Sequence, residues 1–477
     1  MHTPSHRQQL IATLLLIAFF TFFSLDRMSF HGDESFFISE GIHAFSLVRE
    51  GRLFDPWWTA RSGFYTVDPT IPETIFGIAE YLAGTSSGSW YFFSPCCVLG
   101  QIPPLHVLWV ARVVSGVVAM LTLPLVYLIG RKLNGHLTGL MAVILLGFET
   151  LWLLSARRAM SDVFGIIFSI AGILLFLVYA NSKDFRALLL CGIAQGLALA
   201  SKYNAVFGLV ATAILLLILS KERFSVRDLA VNEVVLFGSS IVLLLLLNPF
   251  FYPDPIHGAL TLAKFMSGGF GFASLSPAQS NPFETLLGIV GSLFVPVSWH
   301  LYPGTYTTLA LSVLFSVGFV KLVLQLRCSN KNTDAIVLLT WFCTYVVGLS
   351  LTDRAIYISR YFLPLIPLIS LIAAYGLSIL VKGMSPRLSA LTVSLLTLSM
   401  VFNVLAFYPE FYQAAWGNPV DWPGGFGTLQ QSVLRPLGIM SVGSSVVLLA
   451  IIAIHWRGLI ASITRRTFAR VDRLFSR

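Results

Sequence analysis

Charge is scarce in this chain of 477 residues: Asp, Glu, Lys and Arg make up 11% of it, against about 25% in an ordinary soluble domain. Hydrophobic residues make up 56%, and the mean hydropathy is +0.80. A large soluble enzyme is excluded, and an all-α polytopic membrane protein is indicated, because about 20 apolar residues suffice for each crossing. Cysteine is also sparse. Cys96 and Cys97 are neighbours and poorly placed to bridge each other, and with Cys191, Cys328 and Cys343 they show no metal-ligand spacing, so packing roles are expected. His31, His43, His106, His257 and His300 lack such spacing too. There is no internal repeat, low-complexity tract or soluble domain, and no Asn-x-Ser/Thr sequon, which favours a bacterial source over a secretory-pathway one. The net charge of +9 does not imply nucleic acid as a partner, because the basic residues sit in short loops between apolar runs.

Those runs lie near residues 9–25, 105–129, 137–155, 162–180, 187–201, 203–220, 229–250, 305–325, 335–351, 361–381, 388–407 and 437–456, so about 12 transmembrane helices are expected. Arg7 precedes the first run, but no small-x-small cleavage site follows it and Asp26-Arg27 comes next, which reads as an uncleaved helix. Arg131-Lys132, Lys183/Arg186, Lys221/Arg223/Arg227, Lys321/Arg327/Lys331, Lys382/Arg387 and the Arg-rich tail fall on one side with Arg7, the expected cytoplasmic face. Most acids fall on the other. The short run 285–299, interrupted by Pro296, reads as an interfacial or re-entrant piece. Two long external loops result. The loop 26–104 is rich in aromatics (Trp57, Trp58, Phe64, Tyr65, Trp90, Tyr91, Phe92, Phe93) and should hold short interfacial helices; the loop 251–304 contains Gly268-Gly269-Phe270-Gly271. Residues 1–381 are expected to form the catalytic membrane module, and 382–477 further helices with a basic cytoplasmic tail. The location expected is a bacterial inner membrane, with the site facing outward.

Four charged groups stand at the outer ends of these runs: Asp33-Glu34, Arg157-Arg158-Ala159-Met160-Ser161-Asp162, Lys202-Tyr203-Asn204, and Asp353-Arg354 with Arg360-Tyr361. Ionisable groups at a membrane boundary are costly and are kept mainly where they act. Carboxylates beside several cations suit an anionic lipid substrate. A sugar carried on a polyprenyl phosphate needs cations for its phosphate and a carboxylate to take a proton from the acceptor hydroxyl. Plainer roles exist for each group. Asp33-Glu34 and Asp162 could cap helices, Arg157 and Arg158 could anchor to head groups, Lys202 could snorkel, and Asp353 and Arg354 could pair with each other. Asp33, Glu34 and Asp162 could also hold Mg²⁺ or Mn²⁺ through oxygen. Glu149, inside the third run, needs a partner or a proton. Gly192-x-x-x-Gly196 suits close helix packing. A secondary transporter of an anionic solute is the rival reading. Transporters show repeats and midplane sites, whereas no repeat occurs here and the charges lie at helix ends.

The order of Gly32-Asp33-Glu34, Ala156-Arg157-Arg158-Ala159-Met160-Ser161-Asp162, Gly192 to Tyr203, and Ser359-Arg360-Tyr361-Phe362-Leu363-Pro364-Leu365-Ile366-Pro367 resembles the GT-C glycosyltransferases. The nearest branches are the protein mannosyltransferase and aminoarabinose transferase-like families, and the likeness covers roughly residues 10–380. It implies a GT-C fold and sugar transfer from a polyprenyl-phosphate donor to an extracytoplasmic hydroxyl of a protein, glycolipid or cell-wall glycan, with inversion. It implies Asp33 as base, with Glu34 and Asp162 in the catalytic set, and Arg157, Arg158, Lys202, Tyr203, Arg360 and Tyr361 around the donor phosphate. The family's His-Pro-Pro-like element with a basic residue is here Asp68-Pro69-Thr70-Ile71-Pro72-Glu73-Thr74, without Lys. The large carboxy-terminal extracytoplasmic domain of some relatives has no counterpart.

Overall fold

The computed structural model describes residues 5–28, 32–60, 69–86, 103–223, 225–266, 309–328, 332–351, 359–382, 384–407 and 439–457, with isolated positions 283, 286 and 437. All regular structure among the described residues is helical. In chain order the α-helices are α1 (His6–Phe22), α2 (Gly32–Arg49), α3 (Trp57–Ala60), α4 (Thr70–Leu82), α5 (Leu105–Asn134) and α6 (His136–Gly147). Then follow α7 (Thr150–Ala156), α8 (Asp162–Ser182), α9 (Phe185–Leu199), α10 (Val206–Arg223), α11 (Val226–Leu247) and α12 (Pro255–Met266). The last are α13 (Leu309–Cys328), α14 (Thr333–Ser350), α15 (Ile366–Leu380), α16 (Pro386–Phe407) and α17 (Ile439–Arg457).

Over the described residues each of the twelve apolar runs is helical. Among the described residues seven helices are long and apolar enough to cross a membrane, α6 with α7 makes an eighth if taken as one bent span, and α9, α10 and α13 are shorter apolar helices. Three helices of the loop 26–104 (α2, α3 and α4) match the expected interfacial elements. The segments holding Phe64, Tyr65, Trp90 to Phe93, Cys96, Cys97, Gly268 to Gly271, the 285–299 run, Asp353, Arg354 and the basic tail lie outside the described residues.

The third run differs from the continuous helix expected. It bends by 67° between α6 and α7. Gly147 meets the side chain of Ile17 so closely that a Cβ there would lie 2.3 Å from it. Glu149 follows as the N-cap of α7, and its carboxylate accepts the Trp152 N–H at 2.6 Å. The break thus turns a carboxylate inside an apolar run into a cap for the next helix's open N–H groups.

The centre of the bundle is α15, packed against α5, α6 and α13, and α8, packed against α5 and α9. Gly192 and Gly196 face α11, where a Cβ on either would clash with Ser239 or the Ser240 carbonyl, so this pair serves packing as expected. The carboxy-terminal helices dock through polar contacts. Asn403 donates to Thr150 at 2.9 Å, Trp456 donates to the Leu380 carbonyl at 2.9 Å, and Ser399 joins α16 to Ser441 and Ser445 of α17. Hydrogen bonds between helices replace part of the hydrophobic drive that lipid removes.

Candidate active site

Two carboxylate–cation pairs organise the end of the bundle where α2 and α8 begin and α9 stops. The first is built on Arg112, a lone cation inside the apolar run of α5 and fully buried. Its Nε donates to Glu34 Oε1 at 2.8 Å and its Nη2 to Glu34 Oε2 at 2.9 Å. Its Nη1 donates to the carbonyls of Leu25 (2.8 Å) and Met28 (3.1 Å). Glu34 Oε1 also accepts the Ala159 N–H at 3.0 Å. A bidentate guanidinium–carboxylate pair is directional. Here it ties the segment after α1, the first turn of α2 and the 157–161 turn to one point on α5. Asp33 precedes Glu34 in that same first turn of α2 and is half-buried.

The second pair joins the start of α8 to the end of α9: the Lys202 ammonium donates to Asp162 Oδ1. Side-chain exposure is 15% for Lys202 and 4% for Asp162. Gly165, one turn into α8, allows the approach, since a Cβ there would lie 3.0 Å from the Lys202 Cβ. Asp162 sits in the first turn of α8, where the helix dipole also favours an anion.

The amino end of α4 is fastened beside this pair. Thr70 N–H donates to Asn248 Oδ1 at 3.1 Å, the Thr70 hydroxyl donates to the Leu247 carbonyl, and Ile71 N–H donates to the Ala200 carbonyl at 3.3 Å. Ala200 is two residues before Lys202. Further along, Phe76 meets Phe164 edge-on at 5.4 Å, two residues after Asp162. On its other side α4 crosses α2 with backbones in contact: a Cβ on Gly77 would lie 2.0 Å from the Gly41 carbonyl oxygen, and one on Gly41 2.3 Å from that of Glu73. The helix carrying Asp33 is therefore held against the helix that borders Lys202. Within the stretch Asp68 to Thr74, these contacts are made from Thr70 onward.

The remaining expected residues divide. The Arg157 guanidinium is buried and donates to the carbonyls closing α1: Phe20, Thr21 (3.2 Å), Phe23 (2.8 Å) and Ser24 (3.3 Å). It completes the open carbonyl end of that helix, so this guanidinium is turned to protein backbone. Arg158 is half-buried in the same turn. Tyr203 is buried against Phe250 and Phe251. Arg360 and Tyr361 lie in a 3₁₀ segment, Ser359–Leu365, that packs on α7, α8 and α14; their side chains lie outside the described residues.

Among the described residues no group of three His, Cys, Asp or Glu side chains could hold a metal ion. The trio of Asp33, Glu34 and Asp162 is a poor fit for one: both Glu34 oxygens already face the Arg112 guanidinium and Asp162 faces an ammonium. A dication would have to displace cations already in place. Arg112 stands away from the helix-end charges that mark the site in sequence, although a single charge inside an apolar run is costly and itself a signal of a site. Glu80 on α4 was also passed over. Its carboxyl is buried beside Thr85, whose hydroxyl donates to it, and burial pushes its pKa up to about 7 against that bond.

A family model described as dolichyl-phosphate-mannose-protein mannosyltransferase matches residues 105–252, less than half of the chain. Comparison with curated protein sequences finds no match. Among solved structures, ArnT from Cupriavidus metallidurans bound to undecaprenyl phosphate matches with a TM-score of 0.53 at 17% identity, over 95% of this chain and 78% of that one. The oligosaccharyltransferase of Archaeoglobus fulgidus in the apo form matches with a TM-score of 0.51 at 15% identity, over 91% of this chain and 56% of that one. AglB from the same organism, in complex with an inhibitory peptide and a dolichol-phosphate, matches with a TM-score of 0.51 at 12% identity, over 94% and 56%. The chain spans little more than half the length of the archaeal proteins. At these identities the likeness is one of fold.

Proposed function

We propose that this chain, a multi-pass membrane protein with the GT-C glycosyltransferase fold, transfers a sugar from a polyprenyl-phosphate donor to an acceptor hydroxyl on the extracytoplasmic side of a bacterial inner membrane. The observation that carries the reading is the convergence of Asp33, Asp162 and Lys202 at one end of the bundle, through Glu34, Arg112 and the Ala159 N–H. The family match and the binding of undecaprenyl phosphate by ArnT and dolichol-phosphate by AglB support the choice of donor.

In this reading Asp33 takes the proton of the acceptor hydroxyl as its oxygen bonds to the anomeric carbon. The bond from that carbon to the phosphate oxygen breaks, and inversion follows from attack opposite the departing group. Polyprenyl phosphate leaves as an anion already stable in water, so a strong general acid is not needed. Lys202 receives the phosphate, with Arg158 and Arg360 as further cations. Because Lys202 starts on Asp162, the phosphate has to compete for it, and Asp162 is released as donor binds. Glu34 does not handle substrate; it aims the first turn of α2. The sugar, and the choice among protein, glycolipid and cell-wall acceptors, are set by groups beyond this core.

The test is transfer by the purified protein in liposomes supplied with a panel of polyprenyl-phosphate sugars. Consumption of one donor is expected, and Asp33→Asn should lower the rate about 10²–10⁴-fold, the usual worth of a general base, with folding unchanged. Full activity in Asp33→Asn would remove Asp33 as base. No consumption of any lipid-phosphate sugar would sink the donor assignment.

A further inference from the structure

Helix α4 begins without a cap of its own. The first four N–H groups of a helix have no partner inside it. In α4 the N-cap is Pro69 and the third helical residue is Pro72, and proline has no N–H. Pro69 brings no side-chain cap either. The open groups that remain are the N–H groups of Thr70 and Ile71, and the ends of two other helices meet them. Ile71 donates to the carbonyl of Ala200, the C-cap of α9, at 3.3 Å. Thr70 donates to Oδ1 of Asn248, the C-cap of α11, at 3.1 Å.

Asn248 is fully buried and Thr70 nearly so. The amide uses both of its ends. Its Nδ2 donates to the Leu244 carbonyl, one turn back on α11, at 2.7 Å. Its Oδ1 takes the Thr70 N–H and lies 3.2 Å from the Thr70 hydroxyl, which also donates to the Leu247 carbonyl. This place needs a donor and an acceptor on one short side chain. An amide supplies both, whereas a carboxylate or an apolar group does not.

What the clamp controls follows from what α4 touches next. Two turns along, Gly77 lies in backbone contact with Gly41 of α2, at a crossing with no room for a Cβ. The Arg112–Glu34 pair fixes the first turn of α2 at one point. The crossing with α4 sets the direction in which α2 leaves that point. Lys202 has separate anchors, in the Asp162 carboxylate and, through its own N–H, in the Ala198 carbonyl at 2.8 Å. Loss of the clamp therefore shifts α2, with Asp33, relative to a lysine that stays in place.

We propose that Asn248 is a positioning residue: by capping α4 from the end of α11, it sets the alignment of Asp33 on α2 with Lys202 after α9. The role rests on the sugar-transfer reading above and adds to it a residue that acts only through α4.

The test is steady-state transfer by the full-length protein in liposomes, with the polyprenyl-phosphate sugar that the unaltered protein consumes, beside hydrogen exchange of the same proteins. Asn248→Leu keeps the size of the side chain and removes its bonds. Exchange in the first turn of α4 should quicken severalfold, with thermal unfolding in detergent confirming the fold. The kcat should fall about 10²-fold, a loss that a misplacement of ~1 Å can bring, with donor KM unchanged. Thr70→Val, a milder break of the same clamp, should lower kcat less, and Thr70→Ser should keep it; this pair carries the same test should Asn248→Leu not fold. The double variant Asn248→Leu with Thr70→Val should be no slower than Asn248→Leu alone, because both changes break one unit. Unchanged kcat per folded protein, or a rise in donor KM as large as the fall in kcat, would overturn the role and leave sugar transfer standing. Exchange in α4 that ignores Asn248→Leu would overturn the clamp itself. If the unaltered protein consumed no donor, the function and this role would fall together.

Discussion

Two carboxylate–cation pairs stand at the same end of this molecule, and they are built differently. Arg112 and Glu34 meet through two parallel bonds, both side chains are fully buried, and further bonds tie them to the backbone of Leu25, Met28 and Ala159. Lys202 and Asp162 meet through one ammonium contact on a flexible stem, and the lysine keeps some exposure. The first arrangement is fully buried and fixed at several points, so it is suited to holding geometry. The second can change partners at low cost. In the function proposed, the rigid pair would aim Asp33 and the pliant pair would yield its cation to an incoming phosphate.

The largest effect should come from breaking the rigid pair. Arg112→Ala leaves the Glu34 carboxylate buried without its cation and should cost about 3–5 kcal/mol, measured by thermal unfolding in detergent; a double replacement, Arg112→Met with Glu34→Leu, should recover a large part of that loss while activity stays absent. If the single variant were as stable as the unaltered protein, the claim that this pair frames the site would fail. Next, Gly77→Ala probes whether the α2–α4 crossing shares the framing role. Its new methyl would press on the Gly41 carbonyl, and about 1–3 kcal/mol of destabilisation is expected, with a fall in transfer rate because α2 must shift.

Lys202→Met addresses the pliant pair. Asp162 keeps the helix dipole, so the stability loss should stay near 1–2 kcal/mol, whereas donor KM should rise far more than kcat falls. Unchanged donor KM would place the phosphate elsewhere. The smallest effect concerns Glu80. Its folded pKa of about 7 lies above its unfolded value near 4.5, so the folded state binds the proton more tightly. The stabilisation is fully present below pH 4.5, is lost as pH rises through about 7, and is flat beyond. Glu80→Gln should remove that slope. Parallel unfolding curves for both proteins between pH 5 and 8 would show that Glu80 is not buried as described.

Much of the architecture is written in local pattern. Scarce charge, long apolar runs and basic short loops announce a helical membrane protein, and over the described residues each of the twelve runs is helical, the third as two helices. Asp33 and Glu34 do open a helix, and Asp162 and Lys202 do stand at helix ends that meet. The Gly192–Gly196 spacing signals close packing, though not that α11 is the partner. Other features had no local signal. The bend at Glu149 depends on Ile17 lying against Gly147. Arg157 and Arg158 look equivalent in sequence, and nothing local says that Arg157 closes the carbonyl end of α1, more than 130 positions earlier.

By itself the sequence determined the class of protein, the helices and the residue types available at each helix end, because apolar periodicity and the cost of charge in lipid act over a few residues. Which carboxylate holds a scaffold and which faces a movable cation was decided only by the tertiary structure. Glu34 and Asp33 are adjacent in the chain and chemically alike. What marks Glu34 out is an arginine 78 positions later, brought to it by the packing of α5 against α2. Pairing of buried charges depends on helices distant in sequence becoming neighbours, and no local pattern encodes that choice.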